Sequence, residues 1–411
     1  MPHKTHTTPQ AEWKDWLTRL ALPLWSTTGY DRTRHLYHER LTLEGAPIAL
    51  PHLRLMVQAR QIATYCRAAL DGVFDATHEA LTCLHTVRAR YWQVDGQPGW
   101  VFALGPDGEP SSTLRDLYAH AFILYAHAWA YRLSEDTTLL AVARQTTLEI
   151  EQIFAAPHGG YLDTAPPQDI LRRQNPHMHL LEAYLALFEV TADSFYLERA
   201  HGLMTLAQTR FMPTHPGMLL ELFKTDWSPL HAFGQNTVEP GHLFEWSWLL
   251  RDYMRLAPAN TSDQHDLKTL CDSLLQAGLR YGTSQAAVFD SITDNGTPVT
   301  TSTRIWPQTE LMRLLADRQQ DLGSTPQAKS EATLLDNLTQ VFFTTYAPPS
   351  LQGGWIDRYT AHGRIAVDHM PASSLYHIYG VGRLCCALEN HEEITSRKSG
   401  STLPKKSHDL F

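Results

Sequence analysis

The chain has 411 residues, 43% of them hydrophobic and 19% charged, a balance ordinary for a globular protein. With 34 basic against 43 acidic side chains and a formal charge of -9, nucleic acid and anionic membranes are unfavourable partners. The opening MPHKTHTTPQ lacks the apolar segment of a signal peptide, and no apolar run reaches the roughly 18–20 residues that span a bilayer, so a cytoplasmic protein is expected.

The predicted elements are helices. Apolar residues recur at three-and-four spacing in LRLMVQARQIATYCRAAL (53–70), LRDLYAHAFILYAHAWAYRL (114–133), HLLEAYLALFEV (179–190) and FEWSWLLRDYMRLA (244–257). Strand-length segments do not alternate with helices, which argues against an α/β fold. Between the helices a loop pattern repeats, with glycine, an aromatic or apolar residue and a following acid. Its instances are PGWVFALGPDG (98–108), GGYLDTAP (159–166), PGMLLELFKTDW (216–227), VFDSITDNGTP (288–298) and GGWIDRYTAHG (353–363). That spacing leaves room for two helices per repeat and about six repeats in the chain. Helical hairpins that cannot bury their own apolar faces must stack on one another. Six of them close into an all-α (α/α)6 barrel, with an open solenoid as the competitor. The barrel is expected to occupy residues 1–390, and the polar stretch 391–411 to be a flexible tail. The five cysteines Cys66, Cys83, Cys271, Cys385 and Cys386 show no CxxC or zinc-type spacing and read as buried reduced thiols.

Two helix starts match each other. NPHMHLLEAYLAL carries His179 and Glu182, and PGHLFEWSWLL carries His242 and Glu245. Each is a His-x-x-Glu within four residues of a proline, so each histidine has a carboxylate on its own helix face near the N-terminus. There the helix dipole disfavours the imidazolium and the glutamate favours it, which lets the ring titrate near neutrality as an acid–base catalyst must. A core or capping histidine is the plain alternative for each. His377, in MPASSLYHIYG, again follows a proline shortly ahead of an apolar helix.

Other readings stay open at this level. Histidines from different repeats could converge on a metal, although HExxH is absent. Arg60 is either an outer-face ion-pair residue or a fixed cation opposite a developing oxyanion. Tyr118 and the group Trp306, Gln308 and Glu310 in RIWPQTE divide the same way between packing and a sugar pocket. There is no GxSxG elbow, no GxxxxGK[ST] loop and no dinucleotide fingerprint.

Taken in order, VQAR (57–60), DLYAHAF (116–122), NPHMHLLEA (175–183), PGHLFEW (240–246), RIWPQTE (304–310), GGWIDR (353–358) and LYH (375–377) resemble the N-acylglucosamine 2-epimerase superfamily. The pair NPHMHLLEA and PGHLFEW looks most like its branch of mannose isomerases and sulfoquinovose isomerase. The resemblance implies an (α/α)6 barrel, no cofactor and no metal. It implies His242 and His377 as the acid–base pair around C1 and C2 of the sugar, and His179 as an aid to ring opening or a group that polarises a hydroxyl. Glu245 would orient His242, and Arg60 would bind the enediolate oxygen. Tyr118, Glu182, Trp306, Gln308, Glu310 and Trp355 would hold the substrate. Ala119 departs from the family, whose members commonly carry an acid there.

The expected activity is interconversion of D-mannose and D-fructose, with D-lyxose and D-xylulose as a further pair, by a monomer or homodimer. A 2-epimerase on the same scaffold is the runner-up, and a phosphorylated or sulfonated sugar is a variant of either. From other classes come an (α/α)6 glycoside hydrolase using Glu182 and Glu245, and a non-catalytic binding protein.

Overall fold

The computed structural model describes residues 9–212, 217–258, 261–284, 287–323 and 325–399. Its helices are α1 (Pro9–Trp16), α2 (Leu22–Thr27), α3 (Leu55–Leu70), α4 (Thr77–Tyr91), α5 (Leu117–Ser134), α6 (Thr137–Ile153), α7 (Asn175–Thr191), α8 (Ser194–Leu206), α9 (Pro240–Leu256), α10 (Thr261–Tyr281), α11 (Ile305–Leu322), α12 (Pro326–Val341) and α13 (Ser374–Ser399). Local chemistry starts several of them. Asp116, Asp136, Asp193 and Thr325 cap α5, α6, α8 and α12 through side-chain oxygens that accept from the first-turn N–H groups. Prolines occupy the first turns of α7, α9 and α12, where no intrahelical donor is lost.

The inner helices α3, α5, α7, α9, α11 and α13 pack each on the next, and α13 returns to α3. Helices α4, α6, α8, α10 and α12 each back the inner helix that precedes them, and α1 backs α13. The architecture is an (α/α)6 barrel, and it is closed, as the hairpin repeat predicts. The sixth pair joins the first helix to the last, a pairing invisible to a repeat read along the chain. Trp13 of α1 is the anchor, with its ring 4.5 Å from Phe342 and 5.0 Å from Phe343. Gly353, at φ +97°, completes the joint: a Cβ there would lie 2.5 Å from the Leu20 carbonyl carbon, so only glycine lets the last loop meet the N-terminal segment. Helix α13 continues across the 390/391 boundary to Ser399, and residues 400–411 lie outside the described residues.

The repeated loops form a second ring. The strand before each inner helix pairs antiparallel with the loop of the following repeat: 53–54 with 103–104, 115–116 with 164–165, 172–173 with 222–223, 237–238 with 292–293, 303–304 with 358–359 and 369–371 with 40–42. These ladders fix all six inner helices at the same height, with their N-termini around one mouth. All five cysteines are buried and unbridged. Among the described residues no helix is long and apolar enough to cross a membrane.

Candidate active site

Inner-helix N-termini surround a cavity of about 180 Å³ lined by Arg60, Tyr118, Asn175, His179, Glu239, His242, Glu245, Arg304, Trp306 and His377. Three of these are histidines, and each ring points Nδ1 at a buried carboxylate, which leaves Nε2 for the cavity. His242, in the first turn of α9, donates from Nδ1 to Glu221 Oε1 at 2.9 Å. His377, in the first turn of α13, donates to Glu310 Oε1 at 2.7 Å. His179, in α7, has Nδ1 3.3 Å from Glu182 Oε2.

A second shell of bonds holds Glu221. The Gln174 amide donates to Glu221 Oε2 at 2.8 Å, and its own oxygen accepts from the Trp246 indole at 2.7 Å. The indole therefore fixes which way the amide faces. The Trp306 ring lies between the two outer histidines, 4.8 Å from His242 and 5.7 Å from His377. Gly241 makes this seat, since a Cβ there would stand 2.5 Å from the indole.

The electrostatics separate the histidines. Burial works against a charged His242, but Glu221, with Glu239 and Glu245 behind it, outweighs burial and pushes the ring up to about 9. Burial, with Arg60 and Arg313 adding to it, holds His377 well below the usual histidine range. Burial also lowers His179, to about 4, against the pull of Glu182. At neutral pH the cavity thus presents an imidazolium on α9 and neutral imidazoles on α13 and α7. Arg60 bonds the Tyr118 hydroxyl at 2.5 Å and the Ser373 carbonyl at 3.2 Å, and its guanidinium carbon lies 4.2 Å from the Phe122 ring. Its guanidinium is part of the cavity wall.

Comparison with known proteins identifies the family. The family model described as N-acylglucosamine 2-epimerase (GlcNAc 2-epimerase) matches residues 37–381. The chain belongs to that family. This family member is 30% identical to the mannose-6-phosphate isomerase of Rhizobium meliloti (strain 1021), over 93% of its own chain and 96% of the relative. It is 26% identical to the D-mannose isomerase of Thermobifida fusca, over 76% and 78% of the two chains. Its fold matches a solved D-mannose isomerase with a TM-score of 0.79 at 18% identity, covering 94% of this chain and 100% of that one. A cellobiose 2-epimerase from Spirochaeta thermophila gives 0.76 at 21%, covering 94% and 100%. The protein is a sugar isomerase or epimerase.

Within this family member, some expected residues meet the cavity and others do not. His179, His242, His377, Arg60, Tyr118, Trp306 and Glu245 all line it. Glu245 does not orient His242, however. Neither of its oxygens finds a hydrogen-bond partner among the described residues, and burial beside Glu310 pushes its carboxyl well above the usual range. The orienting carboxylate is Glu221, from a neighbouring loop. Glu182 and Glu310 stand behind histidines and do not line the cavity.

Gln308 does not line the cavity. Its amide accepts from the Val288 N–H at 2.8 Å and donates to the Val288 and Arg304 carbonyls, so it pins the preceding loop. His120 and His177 do the same in earlier repeats: each directs Nδ1 to a carbonyl four residues back and accepts a loop N–H at Nε2, from Trp100 and Tyr161 respectively. The pinning residue precedes by two positions one that faces the barrel axis, namely Phe122, His179 or Glu310. Trp355 is fully buried and stacks on Trp25 at 5.4 Å, in the joint that closes the barrel.

Glu245, Glu310 and His377 bring donor atoms within 4.8 Å of one another, the one group of metal-ligand type among the described residues. The donors fit a metal poorly, because Glu310 already takes His377 on one oxygen and Arg313 on the other. Sequence reading missed Glu221, Gln174 and Arg313. Glu221 lies in a loop, 21 residues before its histidine, and carries no periodic signal of its own.

Proposed function

We propose that the protein is an aldose–ketose isomerase that interconverts D-mannose and D-fructose through an enediolate, with D-lyxose as a further substrate. The observation that carries the reading is the opposed protonation of two histidines flanking one tryptophan, His242 charged and His377 neutral. Groups whose surroundings push them apart in this way are suited to acid and base roles.

His179, neutral and beside the cavity, assists opening of the ring. In the open-chain aldose, Nε2 of His377 takes the proton from C2 while His242 gives its proton to O1. Arg60 faces O1 and O2 and stabilises the negative charge that develops on them before each proton transfer is complete, so the intermediate has enediolate character until His242 protonates O1. His242, now neutral, takes the proton from O2, and His377 returns its proton to C1. The product is the ketose, and both rings regain their starting states.

The cavity volume, about 180 Å³, supports a single monosaccharide. Its charges support an unphosphorylated one: Arg304 is engaged by Glu239 and Asp290, which leaves Arg60 for the reacting oxygens. The names of the relatives fall on both sides, since one is a mannose-6-phosphate isomerase and another a D-mannose isomerase. A 2-epimerase is the second reading, favoured by histidines on two sides of the cavity, from which a proton can return to C2 on the opposite face.

Incubation with mannose in D2O, followed by NMR, separates these readings. Fructose is the expected product, carrying deuterium at C1 to the extent that the proton on His377 exchanges with solvent before its return. Glucose deuterated at C2 would establish the epimerase instead, and an unchanged spectrum with every free aldose would sink both. Turnover of mannose 6-phosphate but not mannose would overturn the choice of a neutral sugar.

A further inference from the structure

We propose that Arg313 is a positioning residue for the sugar chemistry, a single buried guanidinium that anchors the carboxylates behind both His179 and His377. The inference rests on the function proposed above for its catalytic consequence, though not for its geometry.

Arg313 is on α11, two turns beyond Trp306, and 2% exposed. Its Nη1 lies 3.4 Å from Glu310 Oε2, and its Nη2 lies 3.4 Å from Glu182 Oε1. The other oxygen of Glu310 accepts from His377, and the other oxygen of Glu182 faces His179. Tyr376 also gives its hydroxyl to Glu182. One cation from α11 therefore ties together the two His–Glu units of α7 and α13. The seat is shaped for it. The guanidinium carbon lies 3.4 Å from the centre of the Trp248 ring, and Gly380 of α13 stands alongside the arginine stem.

Two burial outcomes for carboxylates in the same barrel show what the cation does. Glu182 is held down at about 2 despite its burial, by the His179 contact and by Arg313. Glu245, to which Arg313 is a weaker influence, is pushed well up. Without Arg313 the Glu182 site faces the fate of Glu245, and Glu310, which burial already raises against the pull of Arg313, goes further up. Loss of a positive charge raises the proton affinity of every group facing it. Those groups are Tyr125 from α5, Glu182 from α7, Glu245 and Asp252 from α9, Glu310 from its own helix, and Tyr376 and His377 from α13. Each His–Glu unit would then take up its extra proton at higher pH, and more of the base would be occupied before substrate arrives.

The opposite mouth of the barrel supplies a direct test. A cavity of about 440 Å³ opens at the C-terminal ends of the inner helices, lined by Arg313 together with Arg67, Trp129, Trp248, Asp252 and Arg383. A small guanidinium ion can reach the vacated seat from that side. In Arg313→Ala the acid limb of the pH–rate profile should move up by about one unit, with kcat on that limb falling by up to about tenfold and KM little changed. Ethylguanidinium at millimolar concentration should restore part of the rate, and ethylurea should not. An unmoved limb in a folded variant, or a loss confined to KM, would overturn the proposal.

Should Arg313→Ala fail to fold, Arg313→Gln, which removes the charge and keeps most of the side chain, carries the same test. It should displace the limb in the same direction, and an unmoved limb overturns the proposal there as well. Ring NMR of histidine-labelled protein, assigned with His377→Asn, reads the titration without any sugar. The His377–Glu310 unit should take up its proton at higher pH in the variant, and an unmoved titration counts against Arg313. A wild-type enzyme inactive on every sugar sinks the function reading alone.

Discussion

Glu221 Oε1 accepts the Nδ1 proton of His242 at 2.9 Å, joining a loop of one repeat to the inner helix of the next. Burial alone would keep that ring neutral, and it is the carboxylate that turns it into an acid, pushed up to about 9. The pairing makes Glu221, and not the glutamate on the same helix face, the residue that sets the charge of His242.

Replacing Glu221 with Gln should therefore lower the proton affinity of His242. The folded ring of the wild type keeps its proton until pH rises through about 9, so the alkaline limb of its pH–rate profile should lie there. In Glu221→Gln that limb should move down toward the ordinary histidine range, with activity at pH 8 falling more than at pH 6. An alkaline limb that stays where it was would remove Glu221 from the mechanism.

Gln308 and Trp306 are two residues apart and should fail differently. Gln308→Ala leaves the buried N–H and C=O of Val288 without their side-chain partner, a cost of about 1–3 kcal/mol for each group so stranded. Its melting temperature should drop while KM for the sugar stays near wild type. Trp306→Ala should raise KM and lower kcat with a smaller thermal effect. Equal KM changes in both variants would return Gln308 to the cavity wall.

Gly241→Ala should damage catalysis through Trp306. The added methyl group would stand 2.5 Å from the indole, closer than packed atoms tolerate, so the ring must shift away from His242. Overpacking of this kind costs about 1–3 kcal/mol. A loss of kcat, accompanied by a modest fall in melting temperature, is the expected pair of readings. Full activity would show that the placement of the indole is immaterial.

Acid should unfold the protein early. Burial lowers His120, His127, His177 and His179 each to about 4. A histidine lowered in the folded state binds more protons when unfolded, so stability falls as pH drops from the ordinary histidine value near 6.5 toward 4. Each such group contributes on the order of 3 kcal/mol to that loss. Denaturant titrations at pH 7 and pH 5 should show a clear fall in the midpoint. The loss should shrink in His127→Gln, whose ring makes one bond, to the Ile123 carbonyl.

Periodicity along the chain was enough to reveal the helices, the repeat and the barrel, because amphipathic spacing and turn residues act within a few positions. It also pointed to His179, His242 and His377 as neighbours, since equivalent points in successive hairpins must converge when the ring closes. What it could not reach were the partners. The nearest carboxylate on the helix face made Glu245 look like the support of His242, but side-chain direction turns Glu245 into the cavity and brings in Glu221 across a loop. Gln308 and Trp355 looked like sugar-binding residues for the same reason: residue type is legible, and the side of the backbone it faces is not.

The sequence by itself determined the class of fold and the types of chemical group around the barrel mouth, because hydrophobic spacing, prolines and caps are local instructions. Only the tertiary structure decided which carboxylate meets which histidine, that one arginine stands behind two of them, and that the first helix completes the sixth pair. Those relationships join residues tens to hundreds of positions apart, and burial, which sets their charges, exists only once the ring has closed.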